Sequence, residues 1–253
     1  MSANPYTTSF YKTYLEESRN SARSLLPHVM RMFSPRSVID IGCGVGTWLS
    51  VFQEIGVVKT LGVDGAYVDR SQLLISDDSF RCHDLSQPLR LDETFELAVS
   101  LEVAEHIPAA NAQIFVDSVT RLAPMVLFSA AIPHQGGDGH VNEQWPEYWL
   151  ERFARRQFVA YDCIRSLVWD EPSVAYYYAQ NAFVFVQRDC VDNYPFLADL
   201  RPAAEGLARV HPRRWLEAND PRRQHLRPLV QALPHSLSNA VGMRIRRSFG
   251  IQK

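Results

Sequence analysis

The chain is expected to fold as a doubly wound α/β domain, a parallel sheet covered by helices on both faces, and three observations support this. Short β-branched and apolar runs alternate with stretches of helical spacing along the first 190 residues, and strand–helix alternation builds parallel sheets. Two of those runs, AVSL at 98–101 and MVLF at 125–128, are nearly continuous in apolar residues, as strands buried on both faces are. A glycine-rich turn follows the first run and opens a helix, and ligands bind at such strand ends in this architecture.

Taken in order, residues 14–33 carry apolar positions at mixed three and four spacing and predict an amphipathic helix, which Pro27 kinks or splits. SVIDIG is a first strand, TWLSVFQEIG a helix stopped by Gly56, and VKTLGVDG a second strand. LISDDSFRCHDL holds a short third strand and FELAVSLE a fourth. NAQIFVDSVTRLA is a helix, APMVLFSAAIP a fifth strand and PEYWLERFARRQF another helix. VAYDCIRSLVW and NAFVFVQR read as two further strands.

Composition narrows the class. With 46% hydrophobic and 21% charged residues the chain is an ordinary soluble protein, and no apolar run approaches the roughly 18 residues that span a bilayer. MSANPYTTSFYKTYLEESRN has no apolar signal core, so a cytoplasmic location is expected. Cys43, Cys82, Cys163 and Cys190 lie far apart with no CxxC pair and read as free thiols.

The net charge of −2 conceals an asymmetry. Residues 201–253 carry eleven Lys/Arg against three acids, and residues 1–200 carry ten more acids than bases. Prolines also cluster in the tail, so a boundary falls near residue 195. The expected organisation is a helical segment at 1–34, the α/β domain at 35–190 and a basic helical extension at 191–253. Arg244, Arg246 and Arg247 could grip phosphate, or the tail could dock on acidic surface of its own chain or of a partner copy, giving a homo-oligomer. The docking reading is preferred. Nucleic acid is not expected as a partner, because no aromatics interleave with the arginines.

The strongest chemical signal is Asp40-Ile41-Gly42-Cys43-Gly44-Val45-Gly46 at the end of the first strand. A dinucleotide fingerprint would need glycine where Thr47 stands. Asp40 would also repel a pyrophosphate, whereas it suits S-adenosylmethionine, whose ammonium and sulfonium are cationic. Asp64 closes the second strand 24 residues later, where a ribose-binding carboxylate is expected. Asp84 could accept from the adenine amine while the Leu85 amide donates to a ring nitrogen. Singly, Asp64 and Asp84 would more often be helix caps.

In their order, DIGCGVGTWL, LGVDG, CHDL and SLEVAEHIP make residues 35–190 resemble the class I S-adenosylmethionine-dependent methyltransferases. The resemblance implies a Rossmann-like, seven-stranded, mostly parallel sheet whose last strand, NAFVFVQR, runs antiparallel. It also implies that Asp40, Gly42, Gly44, Gly46, Asp64 and Asp84 line the donor, with Glu102 bordering its methionine end. The string SAAIPHQGGDGHVNEQWPEYW is similar to bacterial methyltransferases of glycan or secondary-metabolite pathways, which points to a small-molecule or glycan acceptor.

In VSLEVAEHIP, Glu102, Glu105 and His106 share one face if the segment is helical. With His140 from the polar loop PHQGGDGHVNEQW they would make a two-oxygen, two-nitrogen set for Mg²⁺ or another divalent cation. A similar E-x-x-E-H segment with a later histidine occurs in small-RNA 2′-O-methyltransferases. The reading preferred to it is a cation-free site in which Glu102 borders the donor while Glu105 and His106 merely start the next segment. His140, His106 and His134 are the candidate general bases. Trp145, Tyr148 and Trp149 form either a sugar-stacking wall or, as preferred, the core face of a helix. Tyr176, Tyr177, Tyr178 and Asn181 line the acceptor pocket or pack the sheet edge. The expected activity is O-methylation of a saccharide or saccharide-bearing metabolite. An RNA 2′-O-methyltransferase and a non-catalytic donor-binding subunit are the alternatives.

Overall fold

A computed structural model describes residues 8–220 and positions 230 and 233, with side chains from Leu15 onward. It divides into two units, one running to His211 and one from Pro212. The first therefore extends past residue 190, and Leu197, Leu207 and His211 are buried in it. Arg244, Arg246, Arg247 and the contacts expected of them lie outside the described residues.

Helix α1, Thr8–Phe33, runs unbroken through Pro27, so the expected split does not occur. The missing N–H of a proline removes one ladder bond; here Ala22, Leu25, Leu26 and Val29, all at most 1% exposed, anchor both halves in one core. The strands are β1 Ser37–Ile41, β2 Lys59–Asp64, β3 Phe80–Cys82, β4 Leu97–Leu101, β5 Met125–Ser129, β6 Phe158–Tyr161 and β7 Phe183–Gln187. The other helices of the first unit are α2 Thr47–Glu54, α3 Ala112–Leu122, α4 Pro146–Ala154, α5 Arg165–Val168 and α6 Tyr176–Asn181, and the second unit contributes α7 Pro212–Asn219.

The strands form one sheet in the order β3-β2-β1-β4-β5-β7-β6. All neighbours are parallel except β7, which is antiparallel to both β5 and β6, as expected for the last strand. Alternate strand residues face opposite sides. Val38, Val99, Leu127 and Val184 meet α1, α2, α5 and α6, while Ile39, Ala98, Phe128 and Phe185 meet α3 and α4. The rings of Phe153 and Phe185 stack at 3.9 Å.

VAYDCIRSLVW is not one strand. β6 stops at Tyr161, and α5 begins at Arg165, which is fully buried and holds Asp162 through two bonds of 2.8 and 2.6 Å. Its Nη1 also donates to the carbonyls of Gln180 and Leu207. A guanidinium buried there requires acceptors on several sides, and a continuing strand would not supply them. Trp149 is buried against Phe128, so it belongs to the core, whereas Trp145 stays exposed ahead of α4. Tyr178 packs edge-on to Trp48. All four cysteines are free thiols. Among the described residues no helix is long and apolar enough to cross a membrane.

Candidate active site

The carboxyl ends of β1, β2, β4 and β5 carry the polar residues singled out in the sequence. At β1 the chain turns sharply: Gly42 N–H donates to the Val63 carbonyl at 2.8 Å, and Gly46 N–H to the Cys43 carbonyl at 2.8 Å. Gly42 has φ +89°, and a Cβ there would stand 2.3 Å from a Val103 methyl. Gly44 has φ +53° and would meet nothing within 4 Å. The turn is therefore packed beneath Gly42 and open above Gly44, a cradle in which a ligand can approach the backbone.

Two buried acids flank the cradle. Asp64 accepts from Gly44 N–H and Gly65 N–H, each at 2.6 Å, and from the Tyr67 hydroxyl. Asp40 is 3% exposed, and burial, seconded by the charge of Asp64, lifts its carboxyl to about 8. A cationic ligand would relieve the Asp40–Asp64 repulsion, so an open backbone turn between two carboxylates fits a positively charged, hydroxyl-bearing donor. Asp84 is exposed and accepts from Ser86 N–H (2.9 Å) and Oγ (2.7 Å), bonds that hold its carboxyl below the ordinary value. It caps a turn, with Leu85 half-buried beside it.

Across the sheet, Glu102 directly follows β4 with φ +55°, a conformation that costs a non-glycine residue about 1–3 kcal/mol. Its N–H donates to the Ser129 carbonyl (3.1 Å) and Oγ (3.0 Å), and its carboxylate accepts from Gln135 Nε2 (2.6 Å) and Asn181 Nδ2 (3.1 Å). Gln180 extends this amide network to Gln135, and its Oε1 accepts from His211 N–H at 2.8 Å. Burial raises the Glu102 carboxyl above its usual value against the pull of these donors.

The shared helical face expected for Glu102, Glu105 and His106 is not formed. The segment is a single 3₁₀ turn over Ala104–His106, and Glu102 precedes it in left-handed backbone. Glu105, His106 and His140 come together instead, with one candidate ligand atom from each lying within 4.8 Å of the others; Glu102 stands outside this group. The 3₁₀ turn meets the loop after β5 through the Glu105 carbonyl, which accepts from Val141 N–H and Asn142 N–H at 2.9 Å each.

Glu105 is fully buried, and neither carboxylate oxygen has a hydrogen-bond partner. Burial first, then the charge of Glu102, pushes its pKa well above the carboxylate range; the amides of Glu105 and Ala131 pull the other way without reaching hydrogen-bond geometry. His140 Nε2 faces Glu105 Oε1 at 3.9 Å, and the His106 and His140 rings meet edge-on at 4.8 Å. Burial, with the neighbouring His140, lowers the His106 pKa, which keeps that ring neutral with a lone pair to offer. His134, the third candidate base, is exposed with φ +65° and is not in this group; its backbone N–H donates to Glu143.

Glu143, Gln135 and Gln180 carry much of this geometry and were not singled out from the sequence. A carboxylate three residues after a loop histidine was the one visible cue.

Residues 14–170 match the family model described as a methyltransferase domain, more than half of the chain. No curated protein matches the chain. Among solved structures, the sugar N-methyltransferase KedS8 from Streptoalloteichus sp. ATCC 53650 superposes with a TM-score of 0.55 at 15% identity, covering 74% of this chain and 98% of that one. CalS10, an amino pentose methyltransferase from Micromonospora echinaspora, gives 0.51 at 13% identity, over 74% of this chain and 100% of its own. The methyltransferase domain of bacterial CtHen1-C gives 0.50 at 16% identity, over 67% and 98%. With its fold, its motif order and this match, the chain belongs to the methyltransferase domain family, as a class I S-adenosylmethionine-dependent methyltransferase.

Proposed function

We propose that this enzyme methylates a hydroxyl of a saccharide or saccharide-bearing metabolite, with a divalent cation bound by Glu105, His106 and His140. The observation that carries the reading is Glu105. A buried carboxylate with two unpartnered oxygens costs several kcal/mol as an anion, and two imidazoles beside it complete a mixed oxygen–nitrogen ligand set, suited to Mn²⁺ or Zn²⁺ and, with acceptor oxygens added, to Mg²⁺. Three protein ligands leave coordination positions for acceptor oxygens, and vicinal hydroxyls suit such a vacancy.

Asp40, Gly42, Gly44, Gly46, Asp64, Asp84 and Leu85 would hold the donor, Asp40 and Asp64 by charge and hydrogen bonding, the glycines by close backbone approach. When bound, the donor supplies an electrophilic methyl on its sulfonium, and the cation lowers the pKa of a coordinated hydroxyl. The chain's own part is positional. Glu102, clamped by Gln135 and Asn181, fixes the floor between the two halves of the site. Were the site free of a cation, His140 would instead be the general base for the hydroxyl proton.

The test is methyl transfer to a panel of sugars and nucleotide sugars with and without EDTA, followed by divalent-cation add-back. Activity lost to EDTA and restored by Mg²⁺ or Mn²⁺ supports the reading. Activity indifferent to EDTA, or unchanged in Glu105→Ala and His140→Ala proteins that still bind donor, overturns the cation. The same ligand set favours a ribose 2′-hydroxyl of RNA as second reading, which turnover confined to RNA would establish.

A further inference from the structure

The loop after β5 is organised around one side chain that the ligand set does not include. Glu143 accepts three hydrogen bonds: from His134 N–H at 2.7 Å, from Gly136 N–H at 2.8 Å, and from His140 Nδ1 at 2.9 Å. An ionised carboxylate can only accept, so the proton of a neutral His140 belongs on Nδ1. The lone pair is then on Nε2, the atom facing Glu105.

His106 is held in the same sense by a different acceptor. Its Nδ1 lies 3.2 Å from the Gly139 carbonyl, which likewise cannot donate. The loop makes room for the His140 ring with a glycine; a Cβ on Gly137 would sit 2.3 Å from His140 Nε2. Both imidazoles are thus oriented by Nδ1 with Nε2 left to act, an arrangement that raises ligand basicity in metal sites.

We infer that Glu143 is a positioning residue: it selects the Nδ1–H tautomer of His140 and aims Nε2 at the Glu105 side of the site. The role in cation binding rests on the reading proposed above, whereas the tautomer does not. The experiment is long-range ¹H–¹⁵N NMR of His140 in the metal-free full chain, paired with Mn²⁺ titration followed by EPR, for the parent protein, Glu143→Gln and Glu143→Asp. S-adenosylhomocysteine binding serves as the folding control.

The expected result is an Nδ1-protonated His140 in the parent. In Glu143→Gln, whose amide can donate to Nδ1, the tautomer is mixed or reversed and Mn²⁺ affinity falls about 10- to 100-fold; Glu143→Asp recovers part of both. A parent His140 protonated on Nε2, or a tautomer and affinity unchanged in a folded Glu143→Gln protein, overturns the inference. If the tautomer behaves as expected while the parent binds no Mn²⁺, the positioning role is upheld and the cation reading falls.

Discussion

Replacing Asp40 by Asn tests whether the acid before the glycine turn serves a cationic donor. Asp40 is buried with a carboxyl lifted to about 8, so in the free protein it is mostly protonated at neutral pH. A bound ammonium or sulfonium favours the ionised form, and complex formation therefore releases a proton. The sign follows: parent affinity rises with pH towards about 8, by about tenfold or 1.4 kcal/mol per unit between about pH 6 and 7. Asp40→Asn has no proton to release, and its affinity is low and flat across that window.

Isothermal titration calorimetry in two buffers of different ionisation enthalpy measures the released proton directly. The same residue leaves a mark on stability. Its folded pKa exceeds the unfolded value of about 3.9, so its ionisation opposes folding, and the parent loses stability as pH rises from about 4 through about 8. Asp40→Asn should therefore gain in melting temperature over the parent across that range, most at its upper end. Binding without proton release, or a pH slope unchanged in the variant, would refute the reasoning.

Other substitutions separate binding from folding. Gly44→Ala pays about 1–2 kcal/mol for left-handed backbone and places a methyl in the open cradle, so donor affinity should fall more than stability. Gly42→Ala adds a collision with Val103 and should lower the melting temperature further, as differential scanning calorimetry will show. Asn181→Leu strips Glu102 Oε1 of its donor, while Gln135 Oε1 keeps that of Gln180, and should cost about 1–3 kcal/mol in urea denaturation. Arg165→Met leaves Asp162 with Arg209 alone, at 3.7 Å, and leaves the Gln180 and Leu207 carbonyls without the guanidinium, and should destabilise by about 1–3 kcal/mol per carbonyl.

Most strands were legible because they are local apolar runs, β3 with its exposed Arg81 and Cys82 being the exception, and the antiparallel sense of β7 came with the motif resemblance. Helix α5 was not, since its start depends on Arg165 finding carbonyls as far along the chain as Leu207. The glycine turn and Asp64 could be read because they sit at fixed positions after strands. Glu102 was misplaced on a helical face: its left-handed backbone is imposed by Ser129, Gln135 and Asn181, none of them its neighbours in sequence. Glu143 was visible only as a polar loop residue, because nothing local shows that three donors converge on it.

The insertion of β7 between β5 and β6 has a consequence for synthesis. A nascent chain completes β5 at Ser129 but cannot satisfy its free edge until Gln187 has left the ribosome. At ~5–20 residues per second this interval lasts roughly 3–12 seconds. Throughout it, the wholly apolar edge of Met125–Phe128 is open to pairing with another chain. Yield in a cell should thus respond to codon choice across α4, α5 and α6, and a chain stopped before residue 183 should aggregate rather than persist as a smaller sheet.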